Sequence, residues 1–304
     1  MNSIDQISIH FNPNQLHILN ICLGFLLFGV ALEIKPDDFK KIILFPKAIL
    51  VGLTTQLILF PILTILFILL INPPTSIALG MVLVAACPSG NVSNFAVKIA
   101  NGNTALSVTL TSILSLIAIV TTPLSFSIYS KMVPNSEILR KSIYVEPIDM
   151  VFTIIQIILI PLCIGMLFNW KFPKTTMRFL KTIKILSLLL FLSFIVLGVF
   201  KNLDIVQNHL GSVFFIVLVH NFIGLFGGYQ FARWVGLDFK TAKTLCLEAG
   251  IHNTGLGLVL IFNFFNGIGG MALIAAWWGI WDMIAAFSLA QFWEKRDQTI
   301  VQTQ

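Results

Sequence analysis

Charge is scarce in this 304-residue chain: Asp, Glu, Lys and Arg together make up 11% of it, against roughly 25% in soluble domains. With 57% hydrophobic residues and a mean hydropathy of +0.93, that scarcity excludes a water-soluble fold, which has nowhere to hide so much apolar surface. Cysteine is scarce too. Cys22, Cys87, Cys163 and Cys246 lie in apolar stretches without CxxC spacing, so they read as small buried hydrophobes rather than a disulfide framework or zinc site. The five histidines, His10, His17, His209, His220 and His252, form no HExxH, which removes the zinc metalloprotease. An aspartyl intramembrane protease needs two carboxylates at membrane depth, and Asp282 has only Asp149, at a segment end, for company. A serine version needs a general base beside Ser89 or Ser93, which spacing alone leaves open. Residues 1–14 are polar and hold no basic run ahead of the first apolar stretch, so a cleaved signal peptide is not expected.

What the chain has in abundance is apolar runs, each near the roughly 20 residues that cross a bilayer as a helix. They lack the period-2 alternation of a transmembrane barrel and are about twice the length of its strands. The prediction is therefore an all-α integral membrane protein with about nine transmembrane helices, at 15–34, 47–72, 75–100, 104–130, 148–169, 184–200, 210–235, 239–265 and 268–293. Nine crossings put the termini on opposite sides. Fifteen Lys and Arg residues then fall on the C-terminal side and four, Lys131, Arg140, Lys141 and Lys201, on the other. By the positive-inside rule the C-terminus is cytoplasmic and the N-terminus outside. Residues 1–14 become an extracytoplasmic segment, 15–293 the membrane domain of a cell (inner) membrane protein, and 294–304 a cytoplasmic tail. The net charge of +6 is accounted for by this asymmetry and implies no nucleic-acid partner.

Two predicted helices are interrupted near their middles. The third contains Cys87-Pro88-Ser89-Gly90-Asn91-Val92-Ser93-Asn94, and the eighth contains Glu248-Ala249-Gly250-Ile251-His252-Asn253-Thr254-Gly255. Pro and Gly free backbone groups, and at membrane depth those are tolerated only where protein or water satisfies them. Interrupted helices at matching positions in two halves point to the binding site of a secondary transporter. The first four helices then match the last four, inverted in the membrane, with the fifth as the extra one.

Glu248 is the most informative residue, because a carboxylate at mid-membrane costs several kcal/mol without a partner. A bound cation would compensate it, and hard cations prefer carboxylate, amide, hydroxyl and carbonyl oxygens. Gln56, Ser93, Asn94, Ser107, Thr111 and the backbone freed at Ala249 to Ile251 offer them. Ser107 and Thr111, at i and i+4, share one helical face. A protonated Glu248 bonded to a neighbouring helix is the bland alternative. His220 reads as a proton carrier or, more simply, as the partner in an interhelical hydrogen bond. Trp277, Trp278, Trp281 and Trp293 read as cavity lining or as an ordinary interfacial belt.

These blocks, together with Gly102-Asn103-Thr104-Ala105-Leu106-Ser107 and His220-Asn221, stand in an order and spacing that resembles the bile acid:sodium symporter family over essentially the whole chain. The resemblance implies inverted repeats, a core domain with two broken, crossing helices, and a separate panel domain. It implies a first sodium site at Ser93, Asn94, Ser107, Thr111 and Glu248. A second falls on Gln56, Glu248, the carbonyls of Ala249 and Ile251, and the side chain of His252, with Glu248 shared. Where this chain has His252 the family commonly has Gln, so one or two sodium ions are implied; a protonated imidazole there would repel sodium. The implied substrate is a small organic anion, a bile acid or a hydroxy or keto acid, held against the half-helix N-termini with Asn91 and Asn253 in contact. Asp282, in Trp281-Asp282-Met283, is a second departure and puts a carboxylate either near the anion's path or at a structural edge. Sodium symport is the leading reading; proton-coupled or ion-exchanging transport on the same fold, and a receptor, are the rivals.

Overall fold

The computed structural model describes residues 3–7, 13–32, 45–90, 92–137, 139, 147–201 and 203–302, and among them every regular element is helical. The helices are α1 (Pro13–Ala31), α2 (Pro46–Ile71), α3 (Thr75–Ala86), α4 (Val92–Ile99), α5 (Thr104–Tyr129), α6 (Ile148–Lys171), α7 (Pro173–Lys201), α8 (Leu203–Trp234), α9 (Phe239–Gly250), α10 (Thr254–Phe264) and α11 (Gly269–Gln302). Hydrocarbon offers the backbone no hydrogen-bond partner, so apolar runs of this length close their bonds within helices. Among the described residues five stretches, lying in α2, α5, α6, α8 and α11, are long and apolar enough to cross a membrane. Leu50, Ile58, Ile62, Leu66 and Leu70 form an exposed apolar stripe along α2, which in a bilayer is lipid contact.

Local chemistry sets the helix ends. Asn103 caps α5 by accepting from Leu106 N–H at 3.1 Å, Asp238 caps α9 by accepting from Thr241 N–H at 3.0 Å, and Asn253 caps α10 by accepting from Leu256 N–H at 3.1 Å. Each is the Asn or Asp that an N-cap favours. Within α2 a wide π turn spans Thr55–Leu59, just before Pro61, and α6 repeats the arrangement with Ile155–Leu159 before Pro161. Proline lacks an N–H and collides with the carbonyl four residues back, and one wider turn accommodates both defects. The carbonyl so released in α2, that of Leu57, accepts from the Tyr129 hydroxyl at 3.5 Å.

Two predicted membrane helices are each split in two. α3 stops at Cys87, which is extended ahead of Pro88, and α9 stops at Ile251, also extended. At 1.5 Å per residue a 12-residue half such as α3 or α9 rises only about 18 Å, well short of the roughly 30 Å hydrocarbon core. α11 packs on α3, α8 and α10; α9 packs on α4, α5 and α8; α1 lies against α6 and α7 and touches α10. Gly224 and Gly228 allow the α8–α9 approach: a Cβ at either would come within 2.8 Å of a carbonyl oxygen of α9, the close-packing role small residues play between membrane helices.

Candidate cation site

The two breaks meet. Gly90 N–H donates to Ile251 C=O at 3.0 Å and Asn253 N–H donates to Pro88 C=O at 2.8 Å, so Ser89 and His252 face each other across a short antiparallel bridge. Backbone groups freed by one interruption are satisfied by the other. A Cβ on Gly90 would lie 3.1 Å from the His252 carbonyl oxygen, so glycine is what lets the strands approach. Two further carbonyls at the end of α9 are met by amides: Gln56 Nε2 donates to Glu248 C=O at 2.5 Å and Asn221 Nδ2 to Gly250 C=O at 2.7 Å. Gln56 reaches it from the π turn of α2.

Glu248, 1% exposed, sits one turn before the break with its carboxylate inside a ring of hydroxyls. Ser93 of α4 donates to Oε1 at 2.6 Å and Ser107 of α5 to the same oxygen at 2.5 Å; Thr111 donates to Oε2 at 2.9 Å and Ser89, within the first break, at 2.7 Å. Asn94 Oδ1 lies 2.7 Å from Ser107 Oγ and 3.4 Å from Thr111 Oγ1. All five residues expected at the first sodium site thus come together. Ser89 joins them, although nothing in its spacing separates it from an ordinary helix breaker.

Four neutral hydroxyls solvate a carboxylate without cancelling its charge. Each also carries two lone pairs and rotates freely, so the oxygens that now donate to Glu248 can turn and accept a cation placed among them. One carboxylate, an amide oxygen and hydroxyls are the ligand set of a hard monovalent or divalent ion. Among the described residues no three His, Cys, Asp or Glu gather to hold a softer metal.

The residues expected at the second site are arranged differently. Gln56 meets Glu248 through its amide nitrogen, leaving Oε1 buried without a partner; Ile251 C=O is engaged by Gly90; and Ala249 is wedged against Gly224 and Gly228. His252 lies stacked on Phe60, ring centres 4.8 Å apart, and edge-on to Trp278 at 5.6 Å, with both ring nitrogens buried. Asp282 is buried and its Oδ2 is 3.4 Å from His252 N–H. Asn253 uses Oδ1 to cap α10, and Asn91 lies outside the described residues. His220 bonds Thr64 Oγ1 through Nε2 at 2.7 Å, an interhelical bond between α8 and α2. Trp278 is fully buried between His220, His252 and Phe60, so this tryptophan belongs to no interfacial belt.

A carboxylate cage at the junction of two interrupted helices, among membrane-length apolar helices, is an arrangement that multi-pass transporters use to bind ions. The sequence model of the sodium bile acid symporter family matches residues 20–209. A Bacillus subtilis protein named as an uncharacterized sodium-dependent transporter, YocS, is 30% identical over 281 residues, 91% of this chain and 83% of its own length. A rice chloroplast protein named as a probable sodium/metabolite cotransporter, BASS1, is 28% identical over 80% of this chain, and the human P3 protein 26% identical over 83%. The alignments span 58% and 52% of those two longer proteins. The chain belongs to the sodium bile acid symporter family. It is a multi-pass membrane protein of a family of sodium-dependent transporters.

Proposed function

We propose that the protein imports a small organic anion together with sodium by alternating access, and that the Glu248 cage is its principal sodium site. The supporting observation is the convergence of hydroxyls from α4, α5 and the first break on one buried carboxylate of α9. A sodium ion there is held by Ser93, Asn94, Ser107, Thr111 and Glu248, with Ser89 as a further oxygen. Because its ligands come from separate elements, binding draws α4, α5 and α9 together and orders the junction beside which the anion rests. The N-termini of α4 and α10 supply the positive ends of helix dipoles to a carboxylate or sulfonate, with Asn91, Asn253 and Asp282 nearest the substrate. A second sodium, where bound, uses Gln56, Glu248, the carbonyls of Ala249 and Ile251, and His252.

In the same reading the chain crosses the cell membrane nine times, N-terminus outside and C-terminus cytoplasmic. Its two halves are inverted repeats, the broken helices belong to a moving core, and α1, α6 and α7 form the panel. Supporting this division, α1 packs against α6 and α7 while the broken helices pack among α5, α8 and α11. The test is uptake by proteoliposomes of a panel of organic anions under an inward sodium gradient, with potassium and proton gradients as the other arms. Accumulation that follows sodium supports the proposal; accumulation driven equally by protons and indifferent to sodium refutes it in favour of proton coupling.

A further inference from the structure

The turn at residues 100–103 joins α4 to α5, and these two helices carry Ser93, Asn94, Ser107 and Thr111. Two adjacent side chains of α9 fasten it. Lys243 Nζ donates to Ala100 C=O at 2.6 Å, and Thr244 Oγ1 accepts from Asn103 N–H at 2.8 Å while donating to Lys240 C=O at 3.0 Å. Ala100 closes α4 by donating to Ala96 C=O at 2.9 Å, so the ammonium lies where the negative end of the α4 dipole points. Lys243 is 2% exposed. A buried ammonium persists only when well paired, and its second partner is Asp297 Oδ2 of α11 at 2.7 Å, with the Phe239 ring centre 5.0 Å away.

Lys243 and Thr244 precede Glu248 by about one turn of the same helix. The separations of Ser93 and Ser107 from the Glu248 carboxylate are therefore governed by how the 100–103 turn is seated on α9, since one rigid helix carries both the clamp and the carboxylate. We infer that Lys243 and Thr244 are positioning residues that set sodium affinity from the far end of the site, and that Asp297 gives the terminal helix a hold on that affinity through Lys243. The inference rests on the sodium reading above. Lys243 and Asp297 touch no ligand of the ion; they act by fixing the hairpin that bears the ligands.

The test is a sodium titration of thermal unfolding and of anion uptake, at constant ionic strength with potassium as the balancing ion, on the full-length protein. Lys243→Met is expected to raise the sodium half-saturation by at least about tenfold, the scale on which a charged hydrogen bond counts. The maximal rate at saturating sodium should fall far less. Lys243→Arg should recover part of the affinity, Thr244→Val should shift it in the same direction, and Asp297→Asn should shift it about threefold, as a half-exposed partner would. A Lys243→Met protein whose unfolding temperature drops equally in sodium and potassium, with the sodium midpoint unmoved, would show a merely structural clamp and overturn the inference. Should Lys243→Met fail to fold, unmoved midpoints in both Thr244→Val and Asp297→Asn overturn it as well. Glu248→Gln separates the two readings: if it leaves the sodium response intact the cation site is wrong, whereas loss of that response with unmoved clamp variants removes the clamp alone.

Discussion

Around Glu248, hydroxyls from α4, α5 and the first break reach both carboxylate oxygens. Around His252, four residues further along, the neighbours are the Phe60 and Trp278 rings, and the amides that hold the Glu248 and Gly250 carbonyls keep their oxygens, Gln56 Oε1 and Asn221 Oδ1, buried without partners. One region is a closed set of oxygens that solvates its own charge. The other leaves acceptors unengaged and fills the intervening space with aromatic faces. Burying an acceptor without a bond costs about 1–3 kcal/mol, so the second region keeps a standing bias toward anything polar that enters it. Under the proposed function the first is the site on which coupling depends, and the second is conditional on what His252 does.

The comparison breaks most sharply at Glu248. Glu248→Gln keeps the volume and removes the charge, and about 3 kcal/mol of cation binding should go with it, a loss of roughly 100-fold in sodium affinity. A sodium-dependent thermal shift that persists in this variant would end the assignment. Next come single hydroxyls: Ser107→Ala and Ser89→Ala should each weaken sodium binding by about tenfold, the cost of one bond to a charged group. The Ser89 variant is the sharper of the two, because family resemblance assigns that residue no role; equal effects at Ser89 and Ser107 would place it in the cage.

At His252 the expected effect is on cooperativity. With an imidazole in the second region the Hill coefficient for sodium should lie near one, and His252→Gln, which returns an amide oxygen, should raise it toward two. A coefficient near two in the unaltered protein would mean that Gln56 and backbone carbonyls suffice. The smallest effect belongs to Asp282. Asp282→Asn changes little volume and removes a second carboxylate beside the junction, so bulky anions should bind more tightly and small hydroxy acids more weakly, each by about 1 kcal/mol. Competition of both anion classes against one transported reporter measures it, and an unaltered preference order would make Asp282 purely structural.

Much of the first region was legible in the sequence because its residues declare themselves by type: a carboxylate inside an interrupted apolar helix, two hydroxyls at i and i+4, and a break rich in Ser and Asn. Ser89 was not, since its hydroxyl reaches Glu248 only through the antiparallel pairing of two breaks far apart in the chain. Lys243 was hidden for another reason. In the positive-inside count it is one cation among fifteen, but such a count registers sign and not exposure, and this lysine is buried. The second region was the least legible: residue types name Gln56 and the Ala249 to Ile251 backbone as possible ligands and the family resemblance adds His252, yet Ile251 gives its carbonyl to Gly90 and His252 lays its ring on Phe60. Which way an amide or imidazole turns depends on neighbours contributed by α2, α8 and α11, and no local pattern encodes that.

The antiparallel pairing of the breaks also fixes an order of assembly. Ser89 and Glu248 are separated by 159 residues, so a growing chain inserts α3 long before the strand that will pair with Pro88 to Gly90 has been made. Until then those backbone groups lack the partners they have in the folded protein, and hydrocarbon offers none in their place. The bonds seen in the folded protein can therefore form only once residues 251–253 have been synthesised. A chain truncated before them should therefore be less stable in the bilayer than the whole protein, and a nascent chain stalled at that stage is the form that quality-control proteases should clear first.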